Sequence, residues 1–219
     1  NRNQGAIHEL AQAILTQNES ALTRAIESSE QVEVFAPELK LVLQHVLDNA
    51  NSTFRQFLSF AQNANDEHNY AELFRLFSAQ TILCLTNGGV LGCDNLNARL
   101  ELQIKRILGV NDEWYNGRAI IILQNDYNLE LFNGDIGICV VKDGRARVVF
   151  ENGREFIPEV LPNYSLAYAI TIHKSQGSEY QQVNIILPTR QSTDTSAGRL
   201  LSRELLYTAV TRAKSNICL

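Results

Sequence analysis

The chain has 219 residues, a formal net charge of −5, and 45% hydrophobic and 20% charged residues, which suits one large globular domain or two small ones. That apolar share, with no long block of like charge, excludes a mainly disordered chain. No apolar run approaches the roughly 18 residues of a membrane span, and the N-terminal Asn-Arg-Asn-Gln-Gly has no signal-peptide core, so a soluble, cytoplasmic protein with no membrane partner is expected.

Lys and Arg outnumber Asp and Glu only in residues 165–219, six against three. A site for a polyanion is therefore local rather than a field over the whole surface. Cys84, Cys93, Cys139 and Cys218 include no Cys-x-x-Cys pair and no His at ligand spacing. Three of them lie in or beside apolar runs, where a free thiol packs as a small hydrophobe, and no metal site is expected. Methionine is absent, the initiator included, which is read as the mark of a piece of a longer protein.

In chain order, residues 4–28 carry apolar side chains at helical spacing (Ile7, Leu10, Ala11, Ile14, Leu15) with a polar break near Gln17–Ser20. Residues 31–35 alternate like a short strand, and Pro37 opens a helical pattern through Leu41, Val42, His45 and Val46 that resumes at Phe54, Phe57, Leu58 and Phe60. A further helix is expected over 68–79. The run 81–85 reads as a buried strand, Asn87-Gly88-Gly89 as a turn, and 94–108 as a helix with Asp94 at its N-cap. Residues 118–124 read as another buried strand.

Between 127 and 161 short strands are separated by Asn133-Gly134-Asp135, Lys142-Asp143-Gly144 and Glu151-Asn152-Gly153, the last two being hairpin signatures. Such a β module is too small for a large core of its own and is expected as an insert on the main domain. Afterwards 166–172 and 182–188 read as strands, 190–198 as a polar loop, 203–214 as a helix and 215–219 as the start of a last strand. Apolar strands alternating with helices predict a parallel sheet covered on both faces.

Three segments can carry chemistry. Thr171-Ile-His-Lys-Ser-Gln-Gly-Ser-Glu179 follows a buried strand directly. A strand running into a Ser/Gly turn and a helix presents backbone N–H groups at the C-terminal edge of a sheet, where phosphate-bearing ligands bind. His173 and Lys174 suit nucleic-acid phosphates and Glu179 a ribose hydroxyl, although an ordinary solvated turn has the same composition. Arg212 near a helix end suits an arginine finger for a transferred phosphoryl group, or equally a cation at a helix C-terminus. Asn125-Asp126-Tyr127 through Phe132-Asn133-Gly134-Asp135 suits base stacking and phosphate contact on a single strand, or a plain turn. A Walker A loop is absent from the sequence, so this stretch cannot cradle a triphosphate alone.

Four segments together resemble the RecD family, the alpha subunits of exodeoxyribonuclease V, within the 5′→3′ class of superfamily 1 DNA helicases. Residues 88–101 resemble its Gly-x-x-Gly-x-x-x-Leu-Asn segment and 125–137 its Asn-Asp-x-x-x-x-x-Phe-Asn-Gly-Asp-x-Gly segment. Residues 171–179 are similar to helicase motif V and 205–214 to motif VI. The resemblance implies an α/β fold, with a RecA-like second motor domain over 1–126 and 162–219 that lacks the P-loop and includes a variable helical stretch at about 37–80. It also implies a small inserted barrel, similar to a Src-homology-3 domain, over 127–161. ATP with Mg2+ would be bound mainly by a preceding motor domain, with Arg212 as arginine finger and Gly177, Glu179 and Arg2 at the nucleotide. Thr171, His173, Lys174, Asn125, Phe132 and Asn133 would line the single-stranded DNA path. Implied partners are single-stranded and duplex-end DNA and the RecB and RecC subunits, with the nuclease in a partner subunit. The alternatives are a stand-alone 5′→3′ helicase and a non-catalytic nucleic-acid-binding scaffold.

Overall fold

Burial decides where the strongest apolar runs go. The computed structural model describes residues 5–34, 44, 53–64, 66–187 and 201–219. The expected helical pattern from Pro37 to Val46, the loop at 190–198 and Arg2 lie outside the described residues, apart from residue 44. The chain forms two units, one from the described residues of Asn1–Val46, Ser78–Leu96 and Ala169–Leu219, the other from those of Leu47–Phe77 and Asn97–Tyr168.

The first unit is built on a parallel sheet of five strands: β1 (Val32–Glu33), β2 (Gln80–Cys84), β8 (Ala169–Thr171), β9 (Tyr180–Ile186) and β10 (Ala213–Cys218), in the order β1-β10-β9-β2-β8. Every neighbouring pair is parallel. The all-buried β2 has no polar face to turn to water, which is how strands covered on both faces read in sequence. Helices α1 (Ala6–Thr16), α2 (Glu19–Glu27) and α6 (Arg203–Val210) belong to the same unit. The polar break at Gln17 is a left-handed C-cap, φ 55°, and Asn18 then caps α2 by accepting from the Ala21 N–H at 3.0 Å.

The second unit carries an antiparallel sheet in the order β6-β5-β4-β3-β7, from β3 (Ala119–Ile122), β4 (Ile136–Lys142), β5 (Arg145–Phe150), β6 (Glu155–Phe156) and β7 (Tyr164–Leu166). Asp143 and Gly144, φ 49° and 71°, form the two-residue turn between β4 and β5, the conformation that Asp-Gly favours in hairpins. Ile120, Ile122, Leu131, Val148 and Phe150 form its buried cluster, with Trp114, Leu129 and Tyr164 packed against it. Helices α3 (Thr53–Ala61) and α4 (Tyr70–Phe77) fall in this unit with most of α5 (Cys93–Leu108).

Several local expectations change. The apolar run 118–124 lies in the antiparallel sheet, flanked by β4 and β7, so this sheet draws on residues either side of 127–161. The run 166–172, which reads as one strand, is two: Leu166 ends β7 and Ala169 starts β8, with Ala167 and Tyr168 carrying the chain from one sheet to the other. Tyr168 is held at this switch by a hydroxyl–hydroxyl bond to Tyr115 at 2.8 Å. The 203–214 helix stops at Val210, so Lys214 is in β10 rather than on a helix. Asp94 lies inside the first turn of α5 rather than at its N-cap, since the helix already begins at Cys93.

A titratable cluster ties α4 to the second sheet. Tyr70 Oη donates to Glu155 Oε1 at 2.6 Å, and Lys142 Nζ donates to the same oxygen at 2.7 Å. Burial, with the carboxylate acceptor adding to it, pushes the Tyr70 hydroxyl up to about 12. Burial pulls Glu155 upward, but the bonds from Lys142 and Tyr70 outweigh it and hold the carboxyl below its usual value. A depressed carboxyl contributes stability that is present above its unfolded pKa and lost as pH falls through the folded one. A raised Tyr contributes below its unfolded pKa and loses its contribution as pH rises towards about 12. Glu155→Gln is therefore expected to lower stability by about 1 kcal/mol at neutral pH. In urea titrations the difference from wild type should vanish in acid below the carboxylate range; a pH-independent difference would contradict this account.

Candidate functional site

The register within the first unit fixes where the expected site residues fall. Thr171 is level with Cys84, and Cys84 with Ile186, whereas Ala213 is level with Tyr180. Thr171 is thus at the C-terminal edge of the sheet and Tyr180 at the N-terminal edge, about 20 Å apart along six residues of strand at 3.3 Å each. The segment 171–179 crosses the sheet between these edges, contrary to the expectation that all of it sits at the C-terminal edge. No helix follows it either: a short 3-10 turn (Ile172–Ser175) leads through Gly177, φ 90°, straight into β9. A side chain in that left-handed backbone would be strained, although open space surrounds the position of a Cβ.

Gly177, Glu179 and Arg212 come together at the N-terminal edge. Arg212 follows α6 and precedes β10 directly, its N–H bonded to the Ala209 carbonyl at 3.1 Å and its carbonyl accepting from Tyr180 N at 2.8 Å. The guanidinium Nε donates to the Thr208 carbonyl at 3.2 Å and Nη1 to the Ser178 carbonyl at 3.1 Å. The arginine side chain therefore bridges the end of α6 and the Gly177–Glu179 turn. Glu179 pairs with Lys214 at 3.3 Å, both side chains part-exposed. Beneath them burial pushes the Tyr180 hydroxyl up, opposed by hydrogen bonds with Ser178 and Thr81 and by the Arg212 charge. The Ser178 and Thr208 carbonyls and Lys214 are partners that sequence reasoning did not single out; backbone acceptors have no residue-type signature.

Thr171, His173 and Lys174 form a second group. Thr171 is buried and its Oγ1 caps the 3-10 turn by accepting from Lys174 N at 3.4 Å, so its hydroxyl has a structural task. His173 is exposed and Lys174 half-buried. Asn125, Phe132 and Asn133 form a third group, in the second unit. Asn125 Oδ1 accepts from Asn133 N at 2.8 Å, and Phe132 is exposed on the same loop. Among the described residues no group of three His, Cys, Asp or Glu side chains can hold a metal ion, and Cys84, Cys93, Cys139 and Cys218 are free thiols. These residues thus offer no such set for Mg2+, and Arg212 bonds to the Ser178 carbonyl next to the open turn at Gly177.

Residues 166–219 match the model of the UvrD-like helicase C-terminal domain, the stretch that holds both the 171–179 segment and Arg212. The RecBCD enzyme subunit RecD of Haemophilus influenzae is 35% identical over 191 residues, 80% of this chain and 28% of that protein. RecD of Mycolicibacterium smegmatis is 39% identical over 142 residues, 62% of this chain and 24% of that protein. The ATP-dependent RecD2 DNA helicase of Deinococcus radiodurans is 34% identical over 142 residues, 62% of this chain and 19% of that protein. The chain is a RecD-like superfamily 1 helicase C-terminal domain. It spans less than a third of the length of these three relatives. Among solved structures, Bacteroides Pif1 bound to ssDNA is 18% identical, covering 76% of this chain and 48% of that one, with a TM-score of 0.39. No helix among the described residues is long and apolar enough to cross a membrane.

Proposed function

We propose that this chain is the second, RecA-like motor half of an ATP-dependent 5′→3′ DNA helicase, the alpha subunit of an exodeoxyribonuclease V complex with RecB and RecC, acting in double-strand-break repair and recombination in the cytoplasm. The observation that carries it is Arg212, held by the Ser178 and Thr208 carbonyls against an open glycine turn. A guanidinium fixed in advance stabilises charge that develops on a transferred phosphoryl group without reorganising.

In this reading ATP is the substrate and reaches Gly177, Glu179 and Arg212 from a first motor domain that supplies the P-loop and the Mg2+ site, and Arg2 is the further nucleotide contact that the family resemblance implies. Arg212 is the arginine finger, Gly177 allows close backbone approach, and Glu179 meets the ribose. His173 and Lys174, over Thr171, hold the phosphates of single-stranded DNA, and Asn125, Phe132 and Asn133, on the loop ahead of β4, contact the strand as well. Closure and reopening of the cleft between the motor domains moves the strand. Contacts to phosphates hold it without reading sequence. The likeness to RecD2 favours a second reading, the same motor working without a complex.

The test is ATP turnover by the full-length protein, alone and with RecB and RecC, with and without single-stranded DNA. Turnover that needs DNA is expected, and Lys174→Ala should lower the slope of log affinity against log salt by about one. Activity in the absence of partner subunits would select the stand-alone motor. A folded protein that turns over no ATP under any of these conditions would leave only the scaffold reading.

A further inference from the structure

Two of the four cysteines meet. Cys84 ends β2 and Cys93 begins α5, both are buried, and their thiols are hydrogen-bonded to each other. Eight residues separate them in the chain. The turn between folds back tightly enough for Cys93 N to donate to Thr86 O at 3.0 Å and Asp94 N to Asn87 O at 2.9 Å. The bond to Cys93, with burial adding to it, pushes the Cys84 thiol well up. A hydrogen bond that raises an acid is one in which the acid donates, so the Cys84 S–H donates and the Cys93 sulfur accepts. Cys139 and Cys218 lie apart in β4 and β10, where burial chiefly pushes each thiol up to about 12.

The chain that joins the pair is thinly covered. Residues 87–90 are all exposed, two of them glycines, and nothing lies within 4 Å of a Cβ position on Gly88. We propose that Cys84 and Cys93 are a dithiol switch that a peroxide closes into a disulfide, the exposed turn being the way in for so small and neutral an oxidant. The Cys93 sulfur attacks hydrogen peroxide: the O–O bond breaks, the thiol proton goes to the departing oxygen, and a sulfenic acid and one water form. The Cys84 sulfur, already against Cys93, attacks next. The S–S bond forms, the S–O bond breaks, and hydroxide leaves with the Cys84 proton as a second water. Two thiols give up two electrons and the peroxide is reduced.

The sheet register gives the switch its output. Cys84 is level with Thr171 in β8, and Thr171 Oγ1 caps the turn that carries Lys174. A disulfide of about 2.05 Å replaces a longer thiol–thiol contact. The β2–α5 turn cannot absorb that shortening, because a Cβ on Gly92 would already overlap the Gly88 and Asn87 carbonyl oxygens. The displacement passes to the sheet edge and to the Lys174 turn, which loses its hold on single-strand phosphates. This output rests on the helicase reading; the disulfide itself does not.

Peroxide and dithiothreitol, applied to the full-length protein, test both parts. The tryptic peptide 76–99, which holds Cys84 and Cys93 and no other cysteine, is expected to lose two hydrogens in peroxide and regain them in dithiothreitol, while Cys139 and Cys218 stay thiols. Cys93→Ser and Cys93→Ala should form no bridge, and Cys84→Ala should stop at a sulfenic acid on Cys93 that dimedone traps. In anisotropy with a labelled oligothymidylate, oxidation of wild type should lower the slope of log affinity against log salt by about one, as Lys174→Ala does. It should cost Lys174→Ala nothing further, and both Cys93 variants should bind as reduced wild type does, before and after peroxide. Absence of the bridge in peroxide-treated wild type would overturn the dithiol. A bridge that leaves DNA binding unchanged would overturn the switch and keep the helicase reading. A reduced wild type that binds no single strand would overturn the helicase reading and the output together, while the peptide map still decides the disulfide.

Discussion

Replacing Arg212 by Ala should lower single-strand-stimulated ATP turnover by about three orders of magnitude, the range expected for removal of an arginine finger. In the proposed reading the arginine meets charge that develops in the transition state, so the fall belongs in kcat while the apparent affinity for ATP changes little. The structural cost is separable. Arg212 gives up hydrogen bonds to the Ser178 and Thr208 carbonyls, worth about 1 kcal/mol each, which an unfolding titration reads independently of activity. Arg212→Lys should recover little turnover, because a lysine has a single nitrogen where the guanidinium reaches both carbonyls from a rigid plane. Wild-type turnover in Arg212→Ala would remove the arginine from the mechanism. Turnover lost in step with folding would show that its work is to hold the junction of α6 and β10.

The sequence carried the order of elements because its signals were local and redundant. Residues 82–85 are apolar throughout and short, and most of them fold into the buried β2 (Gln80–Cys84); Asp143-Gly144 dictates its own turn and yields the β4–β5 hairpin. What failed to show was pairing partner. Ala119–Ile122 and Ile82–Cys84 are equally apolar, yet one joins an antiparallel sheet and the other a parallel one. Nothing in a fully apolar strand says which neighbour it will take, because no polar face constrains it. The run 166–172 shows the same blindness within one stretch, since continuous apolarity hides the two residues at which the chain changes sheets. At the candidate site residue types pointed to Arg212, Gly177 and Lys174, but the crossing of 171–179 from one sheet edge to the other follows from register, which no single segment encodes. The four ordered segments were informative because together they specify a topology that periodicity alone leaves open.

The glycine that matters most in the β2–α5 turn is a case of the same limit, and it yields the second large effect. Asn87-Gly88-Gly89 marks the turn in the sequence, and Gly89 does take a positive φ of 91°. Gly88, however, has nothing within 4 Å of where a Cβ would stand, whereas a Cβ on Gly92 would overlap the backbone carbonyl oxygens of Gly88 and Asn87. Those carbonyls cannot yield freely. Asn87 O accepts from Asp94 N at 2.9 Å, Gly88 O accepts from Thr86 Oγ1 at 2.8 Å, and Cys93 N closes the turn on Thr86 O at 3.0 Å. Asn95 Nδ2 adds a bond to the Val90 carbonyl at 2.6 Å. Admitting one methyl group at Gly92 means reopening this set, at about 1 kcal/mol for each bond lost. Gly92→Ala is accordingly expected to destabilise by about 3 kcal/mol, while Gly88→Ala stays within about 0.5 kcal/mol of wild type. Hydrogen exchange distinguishes this cause from a general loss of packing: the amides of Cys93 and Asp94 should lose protection first in Gly92→Ala, ahead of those in β9. Equal stability of the two variants, or uniform loss of protection across the parallel sheet, would show that the turn accommodates a side chain and that its closure is not what joins β2 to α5.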